Sequence, residues 1–340
     1  MTTMARTTAA AAVDFGRLQG IQGMRYVAAV GVMLVHLQWK LKQFYGVTMM
    51  PAISNTAIDL FFIISGFVVA LALRDLRMLP WHFFGRRILR IYPPYFVLTA
   101  LAWLAFMIRP DQVNSSGGTT NVLASFLVWP GHYKFLIENA WTLPHEFGFY
   151  ALAMIAFFFR SGRQLVLLGT IAAAWLAESL LGEPMAQQFI MVDFLTGILA
   201  YHVAVWLAEH GARIVQPAFL ALPIALAVVV YMSLLTIVTT NRFMAVNLVW
   251  GTCLVLVTLM DVGGCRKWPS IQLAALGDCS YSIYLAHPFV FKLMFMLLPQ
   301  GAHAPIFLVT AVVGGLVVST AAGAAFYRFV EVPLRAALPR

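Results

Sequence analysis

Residues 53–73 read ISNTAIDLFFIISGFVVALAL, a run with a single charged group, Asp59. About 20 apolar residues in helical conformation cross the hydrocarbon core of a bilayer, so this stretch reads as a membrane span. Comparable runs recur on either side of it. They predict helices at about 24–41, 92–108, 141–160 and 165–181, and in the second half at about 189–207, 217–237, 244–262, 279–298 and 306–327. The expected fold class is an all-α integral membrane protein of about ten transmembrane helices.

Composition points the same way. Of 340 residues, 61% are hydrophobic and 10% are charged, and the mean hydropathy is +0.85, whereas a soluble domain carries about 25% charged residues. A soluble enzyme is excluded, and ten spans leave no length for a large extramembrane domain. The net charge of +9, from 22 Lys+Arg against 13 Asp+Glu, would suggest nucleic acid in a soluble protein. Here the positive-inside rule is the first test. With a cytoplasmic N-terminus, sixteen of the 22 basic residues fall on the inner side, so both termini are expected inside and no nucleic-acid partner is expected. Lys40, Lys42, Arg109, Lys134, Arg242 and Lys292 are the exceptions, outside or within a span.

The organisation expected is a cytoplasmic segment 1–23, a ten-helix membrane domain 24–327 and a cytoplasmic tail 328–340. The short apolar run from Ala9 to Val13 is below the 7 to 15 residues of a cleaved signal core, so the first helix is expected to stay as an anchor. Cys253, Cys265 and Cys279 form no paired motif, and neither a disulfide framework nor a metal site is expected. Two stretches lack a clear span: 74–91 on the inner side and 109–140 on the outer side. The outer one opens RPDQVNSSGGTTN, rich in turn formers, and turns apolar from Phe126 to Trp129, as a segment folding back to the membrane surface would.

An ionisable group inside a membrane helix is costly and marks a functional candidate. His36, Asp59, Glu146, Asp193, Asp278 and His287 come forward on that ground. Arg25 and His36 are eleven residues apart, about three helical turns or about 16 Å, so their side chains share one face. With Arg25 at the inner boundary, His36 lies near midplane. A neutral imidazole there is suited to take a proton from an alcohol in acyl transfer; it is equally suited to bond a neighbouring helix. Asp59 is a candidate orienting partner for a histidine, or a boundary carboxylate. Ser65 and Gly66 favour a close-packed seam, with Ser65 kept as a candidate substrate contact.

The stretch FFGRRILRIYPPY puts Arg87 and Arg90 on one helical face, with Arg86 beside them and Pro93 and Pro94 read as opening the next span. Arginine forks match phosphate oxygens, so a cytosolic acyl-CoA is a candidate ligand. Membrane orientation and lipid headgroups are the alternative. In AWTLPHEFGFY, Glu146 is one turn from Tyr150, placed to hold a sugar hydroxyl or tune a catalytic group. In SYSIYLAHP, Tyr281, Tyr284 and His287 recur at three-residue spacing and form a stripe that suits an aqueous cavity or an aromatic belt. His287, before Pro288, is also placed to bond freed backbone groups.

Taken in order, these elements resemble acyltransferase family 3 of membrane O-acyltransferases. The matching residues are Arg25 with His36, the DLFFIISGF run, Arg87 and Arg90 followed by IYP, WTLPHEFGFY, SYSIYLAHP and the terminal EVPLR from Glu331 to Arg335. They cover nearly the whole chain. The resemblance implies a ten-helix domain of the bacterial inner membrane that passes an acyl group from cytosolic acyl-CoA, usually acetyl-CoA, to a hydroxyl of a sugar or lipid-linked glycan. It implies essential roles for His36 and Arg25 and donor binding by Arg87 and Arg90. The IQGMRYVAAVGVMLVH opening is similar to the subgroup that decorates bacterial exopolysaccharides. Ala70, and Pro144 with His145, depart from the family's pattern and bear on acceptor choice. The chain stops at Arg340, so the acceptor is expected to meet the membrane domain itself. A secondary transporter is the alternative from another class; the charged cluster in the first half, unmatched in the second, argues against it.

Overall fold

The computed structural model describes residues 18–48, 56–110, 113, 118–181, 185–210, 242–263, 271–299 and 305–337. It is all-helical, with no strand among the described residues. Eight of the expected segments are helices within a few residues of their predicted limits: α1 (Gln19–Tyr45), α2 (Thr56–Ala72), α5 (Thr142–Phe157), α6 (Arg163–Leu180), α7 (Met185–Glu209), α8 (Arg242–Val262), α10 (Ser280–Leu297) and α11 (Pro305–Phe326). The span expected at 217–237 lies outside the described residues. α1 ends where Gly46, at φ +67°, takes the left-handed conformation and returns its N–H to the Lys42 carbonyl at 3.0 Å.

One boundary differs in kind. The helix expected at 92–108 is α3 (Pro80–Ile108), 29 residues that absorb the arginine-rich stretch read as a connection. Pro80 occupies the first turn, where no amide partner is lost. Pro93 and Pro94, expected to begin a span, lie inside it and withdraw the amide partners of the Leu89 and Arg90 carbonyls. In that loosened turn the Tyr281 hydroxyl donates to the Ile91 carbonyl at 2.9 Å, the kind of side-chain support that lets proline persist in a membrane helix.

Among the described residues, five helices are long and apolar enough to cross a membrane: Gln19–Tyr45, Pro80–Ile108, Ile190–Glu209, Met244–Val262 and Pro305–Ala337. The last continues from α11 through a π-turn, Tyr327–Glu331, into α12 (Val332–Ala337). α2, with 17 residues, and α5, with 16, are shorter. α6 carries Arg163 and Glu178, and α10 carries His287 and Lys292 among tyrosines and serines. The expected segment around Phe126 is the short helix α4 (Val122–Leu127), tied to α3 by hydroxyls of Tyr92 and Tyr95 that donate to the Phe126 and Ser125 carbonyls at 2.7 and 2.5 Å.

Packing is tightest between α2 and α7. A Cβ on Gly66 would lie 2.1 Å from the Phe194 carbonyl oxygen, and one on Gly197 would lie 1.9 Å from that of Ile63. The two backbones touch through reciprocal glycines, as small residues permit between membrane helices. α9 (Ile271–Asp278) packs on α1, and α10 packs on both α1 and α11. Arg163 braces the turn before α6: it is buried, and its guanidinium donates to the carbonyls of Asp75 at 2.7 Å, Phe159 at 2.6 Å and Phe157 at 3.3 Å. Large side chains outside this core, such as Ile108, Leu180, Leu297 and Ile306, are exposed, which suits a lipid-facing surface.

Candidate active site

Two cavities open at opposite ends of one face of α1. The first is lined from α1 by Gln22 and Arg25, from α2 by Ser65, from α3 by Arg87 and Arg90, from α5 by Glu146 and Tyr150, and from α10 by Tyr281 and Tyr284. The second is lined by His36, Trp39, Lys40 and Gln43 of α1, Arg109 at the end of α3, Glu138 of the 3-10 turn Glu138–Trp141, and Lys292 of α10. The α1 residues follow from helical geometry. Positions 36, 39, 40 and 43 repeat at three and four, and Arg25 is about three turns before His36 on the same face.

The first cavity is small, about 140 Å³, room for a narrow chain such as a pantetheine arm and not for a nucleotide. Its polar groups are held in place. The Tyr150 hydroxyl donates to Glu146 Oε1 at 2.5 Å, and Arg25 donates to Gln22 Oε1 at 3.2 Å. The Arg87 guanidinium lies over the rings of Phe83 and Tyr150 at 5.4 and 5.3 Å, a cation–π arrangement that fixes the fork without using its outer donors. Arg25 feels the charges of Arg90, Glu146 and Glu331. Three arginines against one lining carboxylate, Glu146, leave two net positive charges in a low-dielectric wall, where an anion binds strongly.

Glu331 and Ser282 were given no role from sequence. Both are fully buried; the Ser282 hydroxyl donates to Glu331 Oε2, and Arg335 pairs with Oε1. The acid stands at the end of the π-turn after α11, a local irregularity common at functional sites. The sequence signals were their places in the SYSIYLAHP and EVPLR elements and the four-residue interval between Glu331 and Arg335, which is an ion-pair spacing.

Between the cavities stand Tyr284 and a pair of histidines. The Tyr284 hydroxyl donates to the Asn139 carbonyl at 2.6 Å and meets Thr142 Oγ1 at 3.0 Å, while the Asn139 amide returns a bond to the Tyr284 carbonyl. His287 is fully buried and lines neither cavity. Its Nδ1 faces the Ile283 carbonyl at 3.2 Å, and its Nε2 lies 3.0 Å from Nδ1 of His36. A carbonyl only accepts, so Nδ1 of His287 carries a proton. With both rings neutral, His287 Nε2 then accepts from His36 Nδ1, and His36 Nε2 is left as a bare acceptor.

Two other candidates lie apart. Asp59 lines neither cavity; its charged neighbour is Asp193, which accepts from Asn247 Nδ2 at 2.9 Å between α7 and α8. Arg86 is exposed and bonds the His82 carbonyl at 3.2 Å. Both positions follow from helical phase. The cavity face of α2 carries Ile58, Phe61, Phe62, Ser65 and Val68, and Asp59 is about 100° round from Ile58. Among the described residues, no cluster of three or more His, Cys, Asp or Glu is placed to hold a metal ion.

Comparisons with known proteins place the chain in a family. The family profile described as Acyltransferase domain matches residues 18–328. The exopolysaccharide production protein ExoZ of Rhizobium meliloti (strain 1021) is 27% identical over 299 residues, covering 83% of this chain and 90% of the relative. The acyltransferase MdmB of Streptomyces mycarofaciens is 25% identical over 318 residues, covering 81% and 79%. No solved structure matches. With a match over nearly all of its length, the chain belongs to acyltransferase family 3 and is an acyl-transferring enzyme.

Proposed function

We propose that the protein moves an acetyl group from cytosolic acetyl-CoA to a hydroxyl of a sugar in an exported or cell-surface glycan, in the inner membrane of a bacterium. On this reading the chain has ten spans, with segments 1–23 and 328–340 cytosolic. Arg87 and Arg90 grip CoA phosphates at the mouth of the first cavity, Arg25, Glu146 and Tyr150 line the path of the pantetheine arm, and the thioester at its end reaches His36. The acceptor enters the second cavity. Its hydroxyl oxygen attacks the thioester carbonyl while His36 Nε2 takes the proton; the C–S bond then breaks, and the proton passes to the departing thiolate. Free CoA and the sugar ester result.

The observation that carries the reading is the pair of cavities lined by one face of a single helix. An arginine-lined pocket holds one end of α1, and His36 lines the other. A donor with a long flexible pantetheine arm bridges the intervening distance of about 16 Å. The name of ExoZ, with its exopolysaccharide, supports the glycan acceptor.

The experiment is CoA binding by purified protein. Arg87→Ala or Arg90→Ala is expected to weaken CoA about 10- to 100-fold, the worth of a charged hydrogen bond or two. An unchanged affinity in the double variant leaves these arginines an orienting role only and removes the donor site proposed here.

A further inference from the structure

We propose that the second cavity is built for an anionic saccharide, one that carries a carboxylate or a phosphate close to the hydroxyl to be acylated. The inference rests on the reading of this cavity as the acceptor site and names the class of acceptor.

Three of the six basic residues that break the charge bias of the chain, Lys40, Arg109 and Lys292, converge on this one cavity from α1, α3 and α10. Against them stands a single carboxylate, Glu138, so the wall carries two net positive charges. None of the three cations is ion-paired within 4 Å among the described residues: Lys40 donates to Gln43 Oε1 at 3.2 Å, and Lys292 feels both the Lys40 ammonium and the Glu138 carboxylate. Like charges brought together at a membrane cavity repel, and cations near a bilayer's apolar region are costly unless they serve a ligand or pathway. A bound anion relieves both costs.

The rest of the cavity suits a sugar. Its volume of about 650 Å³ lies within the range of small-molecule sites. Trp39 is stacked on His36, ring centroids 5.2 Å apart, and is 49% exposed, so its free face offers a flat apolar platform for sugar C–H groups. Lys40 is one turn from His36 on the same helical face, which puts the cation beside the base. A neutral glycan would use the tryptophan and leave the three cations unanswered. A lipid headgroup would use the cations and leave the platform and His36 unexplained.

The test measures binding of three soluble probes to the purified protein in a neutral, non-saccharide detergent: methyl glucoside, methyl glucuronide and glucose 1-phosphate. The expected result is that the anionic probes bind at least about ten-fold more tightly than the glucoside, with the gap closing as salt rises. In the Lys40→Gln/Lys292→Gln double variant they should fall to the glucoside's level. Affinity for CoA, bound at the other cavity, checks that the variant is folded. Tighter binding of only one anionic probe supports the proposal and identifies carboxylate or phosphate as the group read. Equal binding of all three, binding of none, or an anion preference that survives in the double variant overturns it. Transfer from acetyl-CoA is then followed with the same probes. Transfer with equal KM for all three removes the anion preference and keeps the acceptor site; an anion preference without transfer to any probe keeps the anion site and removes the acceptor reading.

Discussion

His36→Ala is expected to lower acyl transfer per folded molecule by about 10²- to 10⁴-fold, the usual worth of a positioned general base, while CoA affinity stays within about two-fold. The second part follows from position: His36 lines the cavity opposite the arginines. The competing role, a polar tie between α1 and α10, makes the reverse forecast. An interhelical hydrogen bond in a membrane is worth about 0.6 kcal/mol and at most about 1.7, so a tie shows as slightly lower thermal stability with turnover per folded molecule intact. The two effects differ enough to separate. A 10²- to 10⁴-fold rate loss corresponds to about 2.7 to 5.5 kcal/mol of activation free energy, beyond what one such bond supplies. Turnover normalised to the folded fraction, with melting measured in parallel, decides between them.

The second large effect is expected at His287, as a positioning residue. Its Nε2 accepts from His36 Nδ1 at 3.0 Å and so holds the tautomer that bares His36 Nε2. His287→Leu keeps the volume of the buried side chain approximately and removes the acceptor. We expect kcat to fall about 10- to 100-fold, the range seen when a partner that orients a functional histidine is lost, with little change in KM for either substrate. His287→Gln, whose carbonyl oxygen can accept the same proton, should recover part of kcat. Equal losses in the two variants, or a rise in KM with kcat preserved, would mean that His287 fills space and does not set the tautomer.

Much of this was legible in the sequence because membrane spans are set by apolar length, which is local. α1, α2, α5, α6, α7, α8, α10 and α11 were placed within a few residues on that signal alone. α3 was misread at its start because Pro93 and Pro94 carry two meanings, first turn or tolerated interior, and the choice rests on a neighbour: Tyr281, about 190 positions away in the chain, supports that turn. The site divides in the same way. Spacing put Arg25 with His36 and Arg87 with Arg90 on common faces, and the residues at those intervals line the cavities. Spacing did not give the phase of Asp59 relative to Ser65 across a helix with apolar residues all round, nor the burial of Glu331 under Ser282. Nor did it reveal that His36 and His287, 251 positions apart, are direct partners.

The central claim is that donor and acceptor reach one membrane-embedded site from opposite cavities. It is tested most directly in proteoliposomes holding the enzyme in one orientation, with labelled acetyl-CoA supplied only on the face of Arg87 and Arg90 and a saccharide acceptor only on the face of Lys40 and Lys292. The account predicts labelled acetyl ester on the acceptor at a rate close to that with both substrates on both sides, with no CoA crossing the bilayer. Ester formation only when the two substrates share a side would contradict it.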